Sequence, residues 1–190
     1  MRIGLTQRVL FHKERAYDSI EHGWYSCLKD HELVCIPNRI DVDIDIDLLI
    51  VTGGDNHPIR DQIELRLVQQ MMLEGKPIMG ICHGAFMLTK LLNGKVSTTS
   101  HHMDCEHTVV VDSKIQVVNS FHTLQIAEPP AHAKVLATDS DGFCEAWIHK
   151  NIGAIVWHPE RMDGPYWPKS IKELLWERNS TIKDVEVLLC

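Results

Sequence analysis

Residues 76–92 constrain the fold more than any other stretch, because they predict a strand, a sharp turn and a helix in immediate succession. The apolar run at 77–81 is typical of a buried strand, and residues 85–92 carry apolar side chains at helical spacing. Cys82 occupies the turn, with Gly80 and Gly84 two positions to either side. A residue held at strained backbone angles tolerates little bulk at those positions. The pattern Gly-x-Cys-x-Gly therefore predicts a nucleophile elbow.

A cysteine at such a corner lies at the start of a helix, where the N–H groups and the helix dipole lower the pKa of a thiol. Cys82 would then be partly activated before any base acts on it. The alternative is that Cys82 is a small buried hydrophobic residue, as most free cysteines are. The elbow alone does not decide between the two.

A second motif favours the nucleophile. The apolar strand predicted at 154–157 ends at His158, and Glu160 follows two residues later. Glu160 can accept the Nδ1 proton of His158, which leaves Nε2 facing the sulfur of a cysteine at another strand end. A surface His-Pro turn with a solvated glutamate is the alternative, but it does not explain why the turn follows a strand in a chain with an elbow cysteine.

Four motifs occur in order along the chain: Thr-Gly-Gly at 52–54, Gly-Ile-Cys-His-Gly at 80–84, Val-Asn-Ser-Phe-His at 118–122 and Trp-His-Pro-Glu at 157–160. With them the sequence resembles the class I glutamine amidotransferase-like superfamily, in the branch of γ-glutamyl hydrolases that includes γ-glutamyl-γ-aminobutyrate hydrolase. The resemblance implies a three-layer, flavodoxin-like α/β fold whose central sheet is mostly parallel, with an antiparallel excursion between Cys82 and His158.

The resemblance also implies site residues. Cys82, His158 and Glu160 would form a catalytic triad, and the oxyanion hole would take one amide from Gly53 or Gly54 and the other from His83. No cofactor is implied.

The resemblance implies a substrate pocket as well. Ser120 and Phe121 belong to the family segment that holds the glutamyl head of the substrate, and Arg8 follows the first strand at its carboxyl end. The family usually carries glutamine four residues after the nucleophile, where this chain has Phe86. This departure removes two hydrogen-bonding functions from the expected pocket, although Phe86 is also the kind of residue that packs into a core.

Length and composition predict a single domain, 1–190, that is cytoplasmic. No apolar run approaches the roughly 18 to 20 residues of a membrane span, and the N-terminal residues lack the apolar region of a signal peptide. The six cysteines form no disulfide framework, which suits a reducing compartment. The net charge of -7 argues against non-specific nucleic-acid binding.

Periodicity predicts the remaining elements. Alternating strands and helices in the first half predict parallel strands with the site at their carboxyl ends. Strands are predicted at 2–5, 34–37, 48–51, 108–111, 115–119, 135–137, 144–149 and 154–157, and helices at 18–30, 63–73, 85–92 and 168–178.

No metal site is predicted. His102 and His107 lie in a His- and Cys-containing stretch at 100–107, but its spacing fits no standard structural zinc site, and adjacent histidines on a strand point to opposite faces. Similar γ-glutamyl hydrolases carry a comparable histidine pair, which favours a loop near the site. Alternating carboxylates at 41–47 are interpreted as a solvated strand face.

The sequence thus predicts a cysteine hydrolase of γ-glutamyl amide bonds that acts through a thioester. Because Phe86 weakens recognition of the glutamyl head, a conjugate larger than glutamine is expected, with Arg8, Arg60 and Arg161 available for an anionic leaving group. The related enzyme acting on γ-glutamyl-CDP-amidate is one example. Two alternatives stay open: an ammonia-supplying glutaminase subunit with a synthetase partner, and a catalytically silent binding protein. A homodimer is also left open.

Overall fold

The computed structural model describes residues 1–39, 44–100 and 102–177. The strands in these ranges are β1 (Arg2–Thr6), β2 (Arg8–His12), β3 (Arg15–Ser19), β4 (Glu32–Ile36), β5 (Leu48–Val51), β6 (Ile78–Ile81), β7 (Lys95–Thr98), β8 (Cys105–Val111), β9 (Lys114–Ser120), β10 (Leu124–Glu128), β11 (Lys134–Thr138), β12 (Cys144–His149) and β13 (Ile152–Ile155). The helices are α1 (Gly23–Cys27), α2 (Pro58–Leu73), α3 (His83–Leu91) and α4 (Lys169–Lys172), which continues as a π-helical turn, Glu173–Glu177.

Five parallel strands, in the order β4-β1-β5-β6-β13, form one half of a mixed sheet. Every residue of β5, β6 and β13 is buried, as expected of parallel strands covered on both faces. Helix α2 packs against β5 and β6, and α3 packs against β6 and β13. The carboxyl ends of these strands lead to Thr52, Cys82 and Val156, at the edge where open α/β sheets bind ligands.

The other half of the sheet is antiparallel. β12 pairs with β13, the sheet continues through β11, β8 and β9, and β10 and β7 extend it beside β12. All six strands lie between Cys82 and His158 in sequence, where the antiparallel excursion is predicted. The hairpin of β8 and β9, called here the β8–β9 ribbon, joins β11 through only two residue pairs, Ala137 with Val111 and Thr138 with Val110.

The helices differ from the predictions mainly in their ends. Helix α2 begins five residues earlier than predicted, because Pro58 is well suited to the first helical position. The predicted helix at 168–178 is present as α4 and its π-helical continuation, and residue 178 lies outside the described ranges. No helix in the described ranges combines the length and apolar character needed to cross a membrane.

A β-hairpin near the N-terminus was not predicted. Strands β2 and β3 pair across 8–19, so the helix predicted at 18–30 is reduced to α1. The hairpin turns at Lys13 and Glu14, which both have positive φ (47° and 61°). Two-residue turns of this type normally carry Asn, Asp or Gly. A Lys-Glu turn gives no such signal, which is why the hairpin escaped prediction.

The carboxylate-rich stretch at 41–47 lies partly outside the described residues, which resume at Ile44. The part that is described is not a strand, so the predicted strand does not extend through it. Asp45 and Asp47 are exposed and Ile46 is buried, so the alternation reflects burial rather than strand pairing.

Candidate active site

Cys82 occupies a sharp corner between β6 and α3. Its backbone angles are φ 49° and ψ −102°, outside the regions that side-chain-bearing residues normally adopt. A Cβ on Gly80 would lie 2.6 Å from the carbonyl group of Gly84, and a Cβ on Gly84 would lie 2.1 Å from the Val51 carbonyl oxygen. Both neighbouring positions therefore require glycine, as the elbow interpretation predicts.

His158 follows β13 and contacts both other members of the predicted triad. Its Nδ1 lies 2.7 Å from Glu160 Oε1, and the ring forms a hydrogen bond with the Cys82 side chain. Asn119 fixes the backbone at this point, since its Nδ2 donates to the His158 carbonyl and its Oδ1 accepts from the His158 N–H, each at 2.8 Å. The structure thus brings Cys82, His158 and Glu160 together.

Burial by itself lowers the pKa of His158, but the hydrogen bonds with Cys82 and Glu160 outweigh it and raise the pKa to about 9. An imidazole with that pKa is charged at neutral pH. A charged ring beside the Cys82 side chain can donate a proton to a leaving group.

Glu160 is positioned by its own turn and by the start of helix α1. It lies in a 3₁₀ turn, Pro159–Arg161, and a Cβ on Gly23 would come within 1.9 Å of its carbonyl oxygen. Helix α1 therefore begins directly against this turn. Arg161 is fixed in turn by two hydrogen bonds to Glu21, both of 2.9 Å.

An open cleft of about 790 Å³ lies at the carboxyl edge of the parallel strands, with Cys82 in its wall. Gly54, His83, Phe86 and Phe121 also line this cleft, so four of the seven predicted oxyanion and substrate residues meet the predicted nucleophile there. Gly53, Ser120 and Arg8 are not part of its lining. The other lining residues are Asp55, Asn56, Asp61, Leu65, Met87, Lys90, Leu91, Met103, His122, Thr123 and Leu124.

The glycine pair after β5 divides between two roles. Gly54, with φ +129°, faces the cleft. Gly53 instead lies against the ring of His158, because a Cβ on Gly53 would be 2.4 Å from His158 Cε1. Of the two glycines predicted for the oxyanion hole, Gly54 is the one that lines the cleft together with Cys82.

The His83 side chain contacts Glu64, which forms a fully buried ion pair with Arg60. Its Nε2 lies 2.8 Å from Glu64 Oε2 and its Nδ1 lies 2.8 Å from Asn56 Oδ1. Glu64 also accepts a 2.8 Å hydrogen bond from Arg60 Nε and a 2.6 Å hydrogen bond from the Thr6 hydroxyl. Burial opposes ionisation of Glu64, but these donors outweigh it and lower the pKa of its carboxyl group.

A model of the peptidase C26 family matches residues 45–160, which include β5, the elbow and the turn with His158 and Glu160. The chain belongs to the peptidase C26 family. This confirms the predicted membership of the class I glutamine amidotransferase-like group.

Relatives of known structure or curated function agree with that membership. The γ-glutamyl-CDP-amidate hydrolase of Campylobacter jejuni is 27% identical over 185 residues, which cover 86% of this chain and 92% of the relative. The carbamoyl phosphate synthase small chain of Clostridium perfringens is 27% identical over 130 residues, or 65% of this chain and 37% of the relative. A glutamine amidotransferase from Thermotoga maritima has a TM-score of 0.67 at 14% identity, covering 84% of this chain and 76% of that one. The predicted fold class is confirmed, and the family supports an amide hydrolase.

Of the predicted substrate residues of this C26 chain, Phe86 and Phe121 line the cleft and Ser120 does not. Phe86 is buried in the wall one helical turn after Cys82, and its ring meets His122 edge-on, with 5.8 Å between centroids. Phe121 meets the His158 ring edge-on at 5.7 Å. The Ser120 hydroxyl donates a 2.7 Å hydrogen bond to the His102 carbonyl.

The three arginines predicted to be available for an anionic leaving group each form an ion pair. Arg60 is fully buried against Glu64. Arg8 and Arg161 both pair with Glu21, at 2.6 Å and 2.9 Å. Arg60 is therefore not available to a ligand, whereas Arg8 and Arg161 share one partly exposed carboxylate, and a contact of Arg8 with substrate stays a prediction. Lys90 is the one lysine or arginine among the described residues that lines the cleft.

Sequence reasoning missed Asn119 and Lys90. Asn119 belongs to the motif at 118–122, but its role was not predicted because its partner, the His158 backbone, is 39 residues away. Lys90 could have been found, since it lies two helical turns beyond Cys82 and one beyond Phe86 on α3. No described residue near Cys82 offers a free metal site: Asp61, Glu64 and His83 are close together, but Glu64 and His83 are engaged by Arg60, Thr6 and Asn56.

The raised pKa of His158 leads to a direct test. Replacing Cys82 by alanine should lower this pKa, because one of the hydrogen bonds that outweigh burial is lost. Glu160→Gln should lower it as well. Titration of the ring nitrogen signals by NMR measures both shifts, and an unchanged pKa in both variants would contradict the hydrogen-bonded arrangement.

Proposed function

We propose that this chain hydrolyses γ-glutamyl amide bonds through a thioester on Cys82. The observation that carries the proposal is that one imidazole, His158, forms hydrogen bonds with both a cysteine at a strained elbow and a buried glutamate beside an open cleft. Nucleophile, base and orienter in mutual contact are what acyl transfer by a thiol requires.

In the first step the Cys82 thiolate attacks the γ-carbonyl carbon, and the C–N bond breaks as the His158 imidazolium donates its proton to the leaving amine. In the second step the neutral imidazole removes a proton from water, which attacks the thioester. Glutamate leaves and the thiolate–imidazolium pair is restored, so one water is consumed for each bond broken. We assign the oxyanion hole to the backbone N–H groups of Gly54 and His83, which line the cleft with Cys82.

The substrate is proposed to be a γ-glutamyl conjugate larger than glutamine. The cleft volume of about 790 Å³ lies in the range of sites for cofactor-sized ligands. Phe86 offers no hydrogen bond to a glutamyl head, so binding energy has to come from the leaving group. Lys90, in the same cleft wall, is the cation that could face an anionic leaving group. The relative from Campylobacter jejuni, named for such a conjugate, makes γ-glutamyl-CDP-amidate the first compound to test.

The test is a mass-spectrometric screen in which γ-glutamyl conjugates are incubated with the wild type, Cys82→Ala and the matched control Cys35→Ala. We expect glutamate and free amine from the wild type and the control alone. Cys35 lies on β4, outside the cleft, so its loss should leave turnover unchanged. Cleavage by Cys82→Ala at the wild-type rate would overturn the proposal.

Phe86→Gln should shift preference toward free glutamine. One or two new hydrogen bonds to the glutamyl head are worth about 1–2 kcal/mol, so kcat/KM for glutamine relative to a conjugate should rise about tenfold. Phe86→Leu is the matched control, since it removes the ring without adding a hydrogen-bonding group. Steady-state kinetics on both variants measure the ratio, and an equal shift in the two would show that the glutamine side chain is not the cause.

The main alternative is an ammonia-supplying subunit, which similarity to the carbamoyl phosphate synthase small chain supports. Under that alternative glutamine is the best substrate of the wild type, or turnover requires an added synthetase. The same kinetic panel therefore separates the two functions.

A further inference from the structure

A second cluster of polar side chains lies in the antiparallel half of the sheet, outside the residues that line the cleft. His102 precedes β8, His107 lies within β8, and Glu145 lies on β12. His102 Nδ1 is 3.6 Å from Glu145 Oε1, and His107 Nε2 is 3.6 Å from Glu145 Oε2. One potential ligand atom from each of the three side chains lies within 4.8 Å of the other two.

The Glu145 carboxylate is buried without a direct hydrogen bond. Its side chain is 1% exposed, and neither of its oxygens has a hydrogen-bond partner among the described residues. Both ring nitrogens of His107 also lack one within the same ranges. Buried polar atoms are normally paired, so these four atoms of Glu145 and His107 require an explanation.

The spacing within this cluster differs from that of the two histidine–carboxylate pairs in the same molecule that form direct hydrogen bonds. His83 Nε2 lies 2.8 Å from Glu64 Oε2, and His158 Nδ1 lies 2.7 Å from Glu160 Oε1. Both distances are those of direct hydrogen bonds. The Glu145 oxygens lie farther, at 3.6 Å, from the facing nitrogens of His102 and His107. Two ligands that share a tetrahedral ion, at about 2.0–2.1 Å from it, lie about 3.3–3.4 Å apart. The wider spacing is therefore the one expected for ligands of a common ion.

Asp139 lies on the far side of His102, at the end of β11. Its Oδ2 faces the other ring nitrogen, Nε2, at 3.6 Å, while its Oδ1 accepts backbone hydrogen bonds from Asp141 and Phe143. A carboxylate opposite the coordinating nitrogen is the usual second partner of a metal-binding histidine, because it fixes the tautomer that leaves the ligand nitrogen unprotonated.

We propose that His102 Nδ1, His107 Nε2 and the Glu145 carboxylate bind one divalent transition-metal ion, with Asp139 orienting His102. Two imidazoles and a carboxylate suit zinc and its neighbours rather than magnesium or calcium, which prefer oxygen ligands throughout. Spacing within 100–107 alone does not reveal the site, because the third ligand comes from β12, almost forty residues later.

The position of the site gives it a structural role. β8 and β12 are not paired with each other, and the β8–β9 ribbon is attached to β11 by only two residue pairs. An ion held between β8 and β12 would join the ribbon to the rest of the sheet. The His102 carbonyl also accepts hydrogen bonds from the Ser120 hydroxyl and the His122 N–H, so the ion would fix the cleft wall that begins at Phe121.

Calorimetric titration with ZnCl₂ tests the proposal on tag-free protein that has been treated with a chelator and dialysed. Wild type and Cys82→Ala should each bind one zinc per chain. Binding by Cys82→Ala would show that the zinc is not held by Cys82 and His158. His107→Ala should bind at least about 100-fold more weakly, and Asp139→Asn about 10- to 100-fold more weakly. His132→Ala, which removes a histidine outside the cluster, should bind as the wild type does. MgCl₂ and CaCl₂ should give no binding at the same concentrations.

A second measurement needs no variant. Hydrogen exchange followed by mass spectrometry should show faster exchange in the β8–β9 ribbon after chelator treatment and recovery with zinc. Folded, chelator-treated wild type that binds no zinc would overturn the proposal and leave a metal-free histidine–carboxylate network. Equal zinc binding by wild type and a folded His107→Ala protein would overturn it as well.

Discussion

Replacing Cys82 by alanine should reduce the turnover of a γ-glutamyl conjugate by about 10³- to 10⁶-fold, the range measured when a nucleophile is removed from a hydrolytic triad. The loss is expected in kcat, because the cleft that binds the substrate is otherwise intact. His158→Ala should cause a loss of the same order, since the thiol then has neither base nor counter-ion.

Glu160→Gln should cost less than either of these changes. Glutamine keeps a polar group against Nδ1 of His158 but removes the charge that helps to raise the pKa of the ring. Steady-state kinetics on the three variants, with Cys35→Ala as the control, measure this order. Near-normal turnover by His158→Ala would refute the triad.

Covalent labelling provides an independent check on the nucleophile. A glutamine-like electrophile should modify Cys82, which lines the cleft beside His158. Cys144 is the natural comparison within the chain, because burial raises the pKa of its thiol to about 12. Labelling spread over Cys27, Cys105 and Cys144 with Cys82 unmodified would contradict both the triad and the elbow.

The second large effect concerns stability. Arg60→Ala should lower the free energy of unfolding by about 3–5 kcal/mol, because it leaves the carboxylate of Glu64 buried without its cation. Both side chains are fully buried, and Arg60 also donates a 2.6 Å hydrogen bond to the Thr52 carbonyl, just before Gly53. Denaturant unfolding measures the loss. Arg2→Ala is the matched control: its pair with Glu32 is exposed, so a change of about 0–1 kcal/mol is expected.

A double substitution identifies the cause of that loss. If the unpaired charge is responsible, Arg60→Met combined with Glu64→Leu should be less destabilising than either Arg60→Ala or Glu64→Ala. Additive losses would point to packing instead. The lowered pKa of Glu64 gives a further signature. Its contribution to stability is present above the unfolded pKa and is lost as pH falls through the folded one, so the difference between wild type and Glu64→Gln should shrink in acid.

Residues whose roles are set by local chain geometry could be predicted from the sequence. The elbow needs only Gly80, Cys82 and Gly84 in one short segment, and Glu160 reaches His158 within a single turn. The carboxyl ends of parallel strands then bring the two segments to one edge. The domain boundaries and the cytoplasmic location stay predictions.

Residues whose roles depend on distant partners could not be predicted. Arg161 is 140 positions from Glu21, with which it forms an ion pair, and nothing in the sequence around Arg161 indicates that pairing. The same holds for Ser120, whose hydroxyl donates a hydrogen bond to the His102 carbonyl. A cation or hydroxyl in a family motif thus reveals its position in the chain but not its partner.

The backbone of Cys82 also sets limits on how such a protein can be improved. A non-glycine residue held at φ 49° and ψ −102° costs about 1–3 kcal/mol relative to relaxed angles. Glycine at this position would relieve that strain, at the expense of a more flexible unfolded chain. Laboratory evolution for heat resistance alone would therefore tend to discard the thiol, while evolution for turnover would retain it. In a survey of variants, position 82 should stand out as one where the most stable residue and the most active residue differ.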